Sequence, residues 1–144
     1  MNTINRFRGD YFFLSNFAPC KVFYNGKRFR TVEHAFQAAK CMSSEEQDIF
    51  KFVETPAEAK HWGRTVQLRP DWETVKINIM KELLEQKFKN PTYKKQLLAT
   101  GECMLIEGNN HKDTFWGVCN GEGKNVLGKL LMDIRKELRE DTCK

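Results

Sequence analysis

No stretch of the 144 residues reaches eighteen consecutive apolar positions, so a membrane-spanning helix is not expected. The opening MNTINRFRGD also lacks an apolar core, so no signal peptide is expected and the protein is expected to be cytoplasmic. The five cysteines, at 20, 41, 103, 119 and 143, are odd in number and none forms a CxxC pair. Neither a disulfide framework nor a zinc site is expected from them. His34, His61 and His111 are scattered without HExxH or HxxxH spacing, which leaves metal catalysis without support. Internal repeats, low-complexity segments and linkers are missing too, and one domain over residues 1–144 is expected.

What the chain does have is enough to fold. Apolar residues make up 40% and aromatics 12%, sufficient for a hydrophobic core and unlike the composition of disordered chains. The net charge of +5 is unevenly placed. Residues 1–42 carry seven cations against two acids, which accounts for the whole excess, and the rest of the chain holds seventeen of each sign. A basic first third can meet phosphate or nucleic acid, or it can be a solvated basic hairpin.

Local punctuation sets the elements. CKVFYNGKRFRT places Asn25-Gly26 between two β-rich runs, the signal for a tight hairpin. A helix is predicted from about Val32 to Met42. Ser43 with Glu46, and Thr55-Pro56 with Glu58, are capping boxes for two more, the second stopping at Gly63. Asp71 is placed to cap a helix over Trp72–Lys89, with Trp72, Val75, Ile79 and Leu83 at helical spacing. Asn90-Pro91 starts another, ending at Gly101. CMLIE and TFWGV suggest short strands. A last helix starts near Asn125 and presents Val126, Leu127, Leu130, Leu131, Ile134 and Leu138 on one face. The expected class is therefore mainly α: about six helices, an N-terminal β-hairpin and a minor sheet, in which the runs at 20–30, 103–106 and 114–118 are candidates to pair.

Four segments could carry chemistry. On the Val32–Met42 helix, Glu33, Gln37 and Lys40 stand at i, i+4 and i+7 and project within about 60° of one another. An acid, an amide and an amine side by side suit a pocket, although spacing alone favours an exposed face with a Glu–Lys pair. In DTFWG, Trp116 fits a core position, and Gly117 marks a place where something approaches the backbone, such as a base lying on the indole. In FLSNF, Ser15 and Asn16 either close a turn or present donors to a sugar or base. In NVLGKLL, Asn125 looks like an N-cap, on a helix start that could hold an anion.

In order along the chain stand FLSNF, a glycine hairpin, VEHAFQAAK, GRTVQLRPDWETVK, FWG and N-x-L-G-K-L-L-M-x-I-R. This ordered series, over about residues 7–138, resembles the YbiA-like family, also called the NADAR domain. The resemblance implies a mainly helical domain and an N-glycosidase that cleaves a ribose C1′–N bond without a cofactor. It implies one of two substrate classes: ribosylamino-pyrimidine phosphates of riboflavin synthesis, or ADP-ribose carried on guanine, free or in nucleic acid. No membrane and no obligate protein partner are implied.

Roles follow from the resemblance. Glu33 is expected to stabilise an oxocarbenium-like ribose, activate water or protonate the leaving nitrogen. Lys40 is expected either to keep Glu33 ionised or to attack C1′ through its amine. Asp113 is a candidate second acid. Trp116, with Gly117 behind it, is expected to stack on the base. Ser15, Asn16, Phe17 and Gln37 are expected to hold ribose or base edges. Arg6, Arg8, the hairpin cations and the helix start at Asn125 are expected to meet phosphate. Two other functions fit part of the pattern. A non-catalytic ADP-ribose or NAD reader would need neither Glu33 nor Lys40. A basic nucleic-acid-binding protein would explain residues 1–42, but no RNP, KH or zinc-finger motif is present.

Overall fold

A computed structural model describes residues 2–142 of the chain. In order along it come β1 (Thr3–Ile4), a 3-10 helix (Gly9–Leu14), β2 (Val22–Tyr24), β3 (Lys27–Phe29), α1 (Val32–Ala39), α2 (Ser44–Phe52), α3 (Pro56–Gly63), α4 (Trp72–Lys87), α5 (Pro91–Ala99), β4 (Met104–Leu105) and α6 (Val126–Thr142). Helices take 51% of the residues, as the mainly α expectation required. The chain divides into two compact units. One is Asn16–Lys87 and the other joins Met1–Ser15 to Phe88–Lys144.

The first of these, the Asn16–Lys87 unit, is organised around α1. Asn25 (φ 52°) and Gly26 (φ 73°) both adopt the left-handed conformation that a two-residue turn between right-twisted strands needs. Their hairpin pairs Val22 with Phe29 and Tyr24 with Lys27. Thr31 accepts the His34 N–H at 3.1 Å and starts α1. Helices α2, α3 and α4 and the hairpin all pack on α1, so each of its eight residues is buried. Ser43 and Thr55 cap α2 and α3 by accepting the N–H groups of Glu46 and Glu58, each at 3.1 Å. Around them Val22, Phe29, Phe50, Met80, Leu83 and Leu84 are almost fully buried. Phe36 meets Trp72 with ring centroids 5.0 Å apart.

The second unit is built on α6. Leu127, Leu130, Leu131 and Ile134 are all buried, as the apolar spacing requires. Helix α5 and strand β4 pack on α6, and the 3-10 helix packs on α5. Asn90 caps α5 by accepting from Thr92 N–H (2.9 Å) and Tyr93 N–H (3.2 Å).

Several expectations fail at element ends. Helix α1 stops at Ala39, with Lys40 as its C-cap. Cys41 leaves the helix to bridge Leu68 in an antiparallel contact. Met42 is therefore 54% exposed and not on the core face. Asp71 does not cap α4 through its side chain. Its carboxylate is taken by the Arg69 guanidinium, at 2.6 and 3.0 Å, while its carbonyl receives the Thr74 and Val75 N–H groups. TFWGV is not a strand. Asp113 Oδ1 accepts the N–H groups of both Phe115 and Trp116, which folds the segment into a turn and leaves only a Gly108–Val118 bridge. The three extended runs do not pair with one another: the hairpin closes on itself, and Met104–Leu105 runs parallel to Thr3–Ile4. Cys143 lies outside the described residues.

Candidate active site

Helix α1 carries polar groups where packing alone would favour apolar ones. Glu33 is 7% exposed and Gln37 4%. A carboxylate at that depth loses most of its hydration and has to be held by specific partners. Gln37 Nε2 donates to Glu33 Oε1 at 3.0 Å, linking the i and i+4 positions of the helix. Gln37 is itself fixed from behind. A Cβ on Gly63 of α3 would fall 1.8 Å from Gln37 Oε1, so the amide occupies the space that the missing side chain leaves. A larger residue at 63 would have to push the Gln37 side chain aside. The amide thus donates to the acid, while its buried Oε1 has no hydrogen-bond partner among the described residues.

Lys40, the third member of the face, emerges where α1 ends. Burial pushes its ammonium below the ordinary lysine range. Glu33 works against that shift, whereas Arg64 and Lys60 add to it. Among the described residues its side chain makes no hydrogen bond or ion pair. The end of the helix is clamped by Arg69, whose N–H donates to the Lys40 carbonyl at 2.9 Å and whose guanidinium reaches Ala39 O and Tyr24 Oη. The sequence reading missed both Gly63 and Arg69. Their signals were a glycine closing a helix in KHWGR and an arginine two residues before Asp71 in RPDW.

Asn16 joins the same group. Its carbonyl accepts the Glu33 N–H at 3.2 Å, at the open first turn of α1. Its Nδ2 donates to Met80 Sδ at 3.6 Å, and its buried Oδ1 has no partner among the described residues. A buried acceptor left unpaired costs free energy unless a ligand or water supplies the donor. Asn16, Glu33, Gln37 and Lys40 thus lie together in the Asn16–Lys87 unit. Phe17 is half-buried in that unit too. His34, equally buried, is a structural histidine. Its ring nitrogens sit 2.8 Å from Thr31 Oγ1 and 3.0 Å from Val53 O, so the neutral ring donates from Nε2 to the carbonyl and accepts at Nδ1 from the hydroxyl.

The remaining candidates belong to the other unit. Ser15 closes the 3-10 helix by donating its N–H to Phe12 O. Asp113 Oδ1 is spent on the turn described above. Trp116 is half-buried, edge-on to Phe115 with centroids 4.9 Å apart. What approaches Gly117 is protein: a Cβ there would meet Glu107 O at 2.1 Å and Asn109 Nδ2 at 2.8 Å. Asn125 is 8% exposed, with both ends of its amide engaged, Nδ2 on Leu105 O (2.9 Å) and Oδ1 on Glu107 N–H (3.0 Å). Its side chain ties the β4 strand to the start of α6 and does not cap that helix. Arg6 and Arg8 line a cavity of about 330 Å³ together with Asn5, Asn109, Asn110 and Asn120.

Glu33, Gln37 and, at its C-cap, Lys40 stand on one helix of a mainly helical scaffold. The NADAR domain family profile matches residues 5–139, and the chain belongs to that family. An N-glycosidase of Nostoc punctiforme is 41% identical over 132 residues, covering 87% of this chain and 84% of that protein. The N-glycosidase YbiA of Escherichia coli is 38% identical over 133 residues, covering 90% and 82%. A riboflavin biosynthesis protein of Vibrio vulnificus is also 38% identical, but the match takes in only 36% of its length. The solved structure of Escherichia coli YbiA superposes with a TM-score of 0.87 at 35% identity, over 99% of this chain and 88% of that one. N-glycosidase activity is thus the enzymatic class that sequence and fold support together. Among the described residues no helix is long and apolar enough to cross a membrane.

Proposed function

We propose that this N-glycosidase hydrolyses the C1′–N bond of a phosphorylated ribosyl substrate at Glu33 and Lys40. The substrate is either a ribosylamino-pyrimidine phosphate of riboflavin synthesis or ADP-ribose on a guanine base. The observation that carries this reading is the burial of Glu33 on a helix with no exposed face, beside an amine of lowered basicity. Cleavage sends the C1′–N electron pair to the leaving nitrogen and builds positive charge on C1′ and the ring oxygen. A fixed carboxylate in a poorly hydrated site stabilises that charge far better than water-screened groups do. Water then adds to C1′, and its proton is exchanged through a group of suitable basicity, Glu33 or Lys40. Asn16 Oδ1 is the acceptor for a ribose hydroxyl.

Lys40 admits two routes. As a neutral amine it attacks C1′, the base leaves with a proton, and a Schiff base with the opened sugar is hydrolysed by water. As an ammonium it keeps Glu33 ionised. Its lowered pKa favours the first route, because the free amine is available at a lower pH than for an ordinary lysine. The test is incubation with a ribosylamino-pyrimidine phosphate and with an ADP-ribosylated guanine oligonucleotide, following released base by mass spectrometry. Glu33→Gln should lower kcat by about a hundredfold or more while substrate still binds. Borohydride should trap an adduct on the native chain and not on Lys40→Ala. Full activity in Glu33→Gln would remove Glu33 from the chemistry, whereas tight binding of ADP-ribose without turnover of either substrate would make the protein a reader and not an enzyme.

A further inference from the structure

We propose that the cavity lined by segment 5–8, loop 106–110 and turn 118–121 binds a nucleotide, with Arg6 and Arg8 on its phosphate. All of these residues belong to the unit that joins Met1–Ser15 to Phe88–Lys144, and the proposal does not depend on chemistry at Glu33. The walls are held by backbone pairing. Ile106 N–H donates to Ile4 O at 2.9 Å, Val118 N–H to Glu107 O at 2.8 Å and Asn109 N–H to Val118 O at 2.9 Å. A Cβ on Gly108 would fall 2.1 Å from Asn5 O, so this glycine lets segment 5–8 lie directly against the loop, with the Arg6 stem alongside. Asn120 (φ 53°) and Gly121 (φ 79°) form a two-residue turn between Cys119 and Glu122. Asn109 stiffens the loop: its amide donates to Asp113 O at 2.9 Å, and its Oδ1 accepts the His111 and Asp113 N–H groups.

The lining gathers positive charge on that frame. Phe7 is buried, whereas Arg6 and Arg8 on either side of it are exposed and both reach the cavity. Neither arginine makes a side-chain hydrogen bond or ion pair among the described residues. No carboxylate lines the cavity, although Glu107 and Glu122 are chain neighbours of lining residues. Two guanidinium groups around one space, without an acid, suit a dianion, which each can hold through paired N–H donors. The side chains of Asn5, Asn110 and Asn120 are also without hydrogen bonds among the described residues. Each amide offers both donors and an acceptor, the combination that ribose hydroxyls and base edges require. Ile106 and Val118, both half-buried, add apolar surface for a ring. The volume, about 330 Å³, lies at the lower end of the range of small-molecule sites. An inorganic phosphate alone would leave the amides and the apolar wall unused, whereas a nucleotide engages all three kinds of group.

The test is calorimetric titration of the full chain with adenosine 5′-monophosphate, adenosine and inorganic phosphate. The monophosphate should bind about tenfold or more tighter than adenosine. Arg6→Ala and Arg8→Ala should each weaken it by about tenfold, with the lysine variants recovering part of the loss because they keep the charge but not the fork. Asn110→Ala should weaken the monophosphate and leave inorganic phosphate unchanged. Lys136→Ala, which removes an exposed charge of α6 outside the lining, should change nothing. Equal affinity for adenosine and its monophosphate, or an equal loss in Lys136→Ala, would overturn the proposal, the second by showing only diffuse attraction to a basic protein. An Asn110→Ala protein that binds the monophosphate normally would reduce the site to a phosphate site and overturn its nucleotide part. Turnover separates two sources of the phosphate. If it belongs to the ribosyl substrate, Arg6→Ala should raise KM and leave kcat unchanged. If it belongs to a second ligand, KM should stay and only the monophosphate affinity should fall. Intact monophosphate binding with no base released from any ribosylamine would keep this site and overturn the glycosidase reading alone.

Discussion

Helices α1 and α6 are each the packing centre of their own unit, and they bury different things. Helix α6 hides Leu127, Leu130, Leu131 and Ile134 and turns its charged residues outward. Its one buried charge, Arg135, donates to Thr100 Oγ1 at 2.8 Å. Helix α1 has no outward side at all, yet three of its eight buried residues are Glu33, His34 and Gln37. The pattern of α6 is what core formation alone produces. That of α1 carries a desolvation cost that packing does not require, and such a cost is found where a charge has to act in a dry, fixed environment. His34 sharpens the point. It is as deep as Glu33, but both ring nitrogens are matched by protein groups, so burial without available polar capacity marks a structural residue.

The largest effect should come from the apolar helix. Leu131→Ala should cost about 2–5 kcal/mol in denaturant unfolding, because the cavity is added to the lost transfer energy, and should leave kcat of the surviving folded protein near its native value. A loss below about half a kcal/mol would mean that α6 is not packed as described. Next is Gly63→Ala. Its methyl must displace the Gln37 amide, at a cost of about 1–3 kcal/mol, and unlike Leu131→Ala it should also depress kcat by releasing Glu33 from its hydrogen bond. A drop in stability with unchanged kcat would remove Gln37 from the site.

Asp113→Ala should cost about 1 kcal/mol, the scale of losing a side-chain acceptor for turn N–H groups, and Asp113→Asn should restore it. The kcat of the asparagine variant then shows whether the free Oδ2 has an acid's role; a tenfold fall would give it one. The smallest effect is in pH. Burial lowers the His34 pKa below 6.5, with the Val53 carbonyl partly opposing. The unfolded chain then binds a proton before the folded one does. Stability should be full above 6.5 and decline as pH falls through that value toward the folded pKa. His34→Gln should flatten this slope while leaving Glu33 in place, whereas an unchanged slope would point to another group.

Much of this was legible because it is local. Caps at Ser43, Thr55 and Asn90, the Asn25-Gly26 turn and the α6 face each depend on residues within a few positions. The reading failed where a distant segment competes for the same group. Asp71 could have capped α4, but Arg69 holds its carboxylate. Asn125 could have capped α6, but Leu105 of β4 and Glu107 just beyond it take the two ends of its amide. TFWGV had strand composition, but Asp113 folds it into a turn.

By itself the sequence determined which helices form and put Glu33, Gln37 and Lys40 on one line of α1, since a period of about 3.6 residues is a property of the backbone. Spacing could not say whether that line faces solvent or protein. That was decided by the packing of α2, α3, α4 and the hairpin around α1, which buries the acid and wedges Gln37 against Gly63. Burial and close approach depend on what other segments bring to a helix, and only the tertiary fold supplies them.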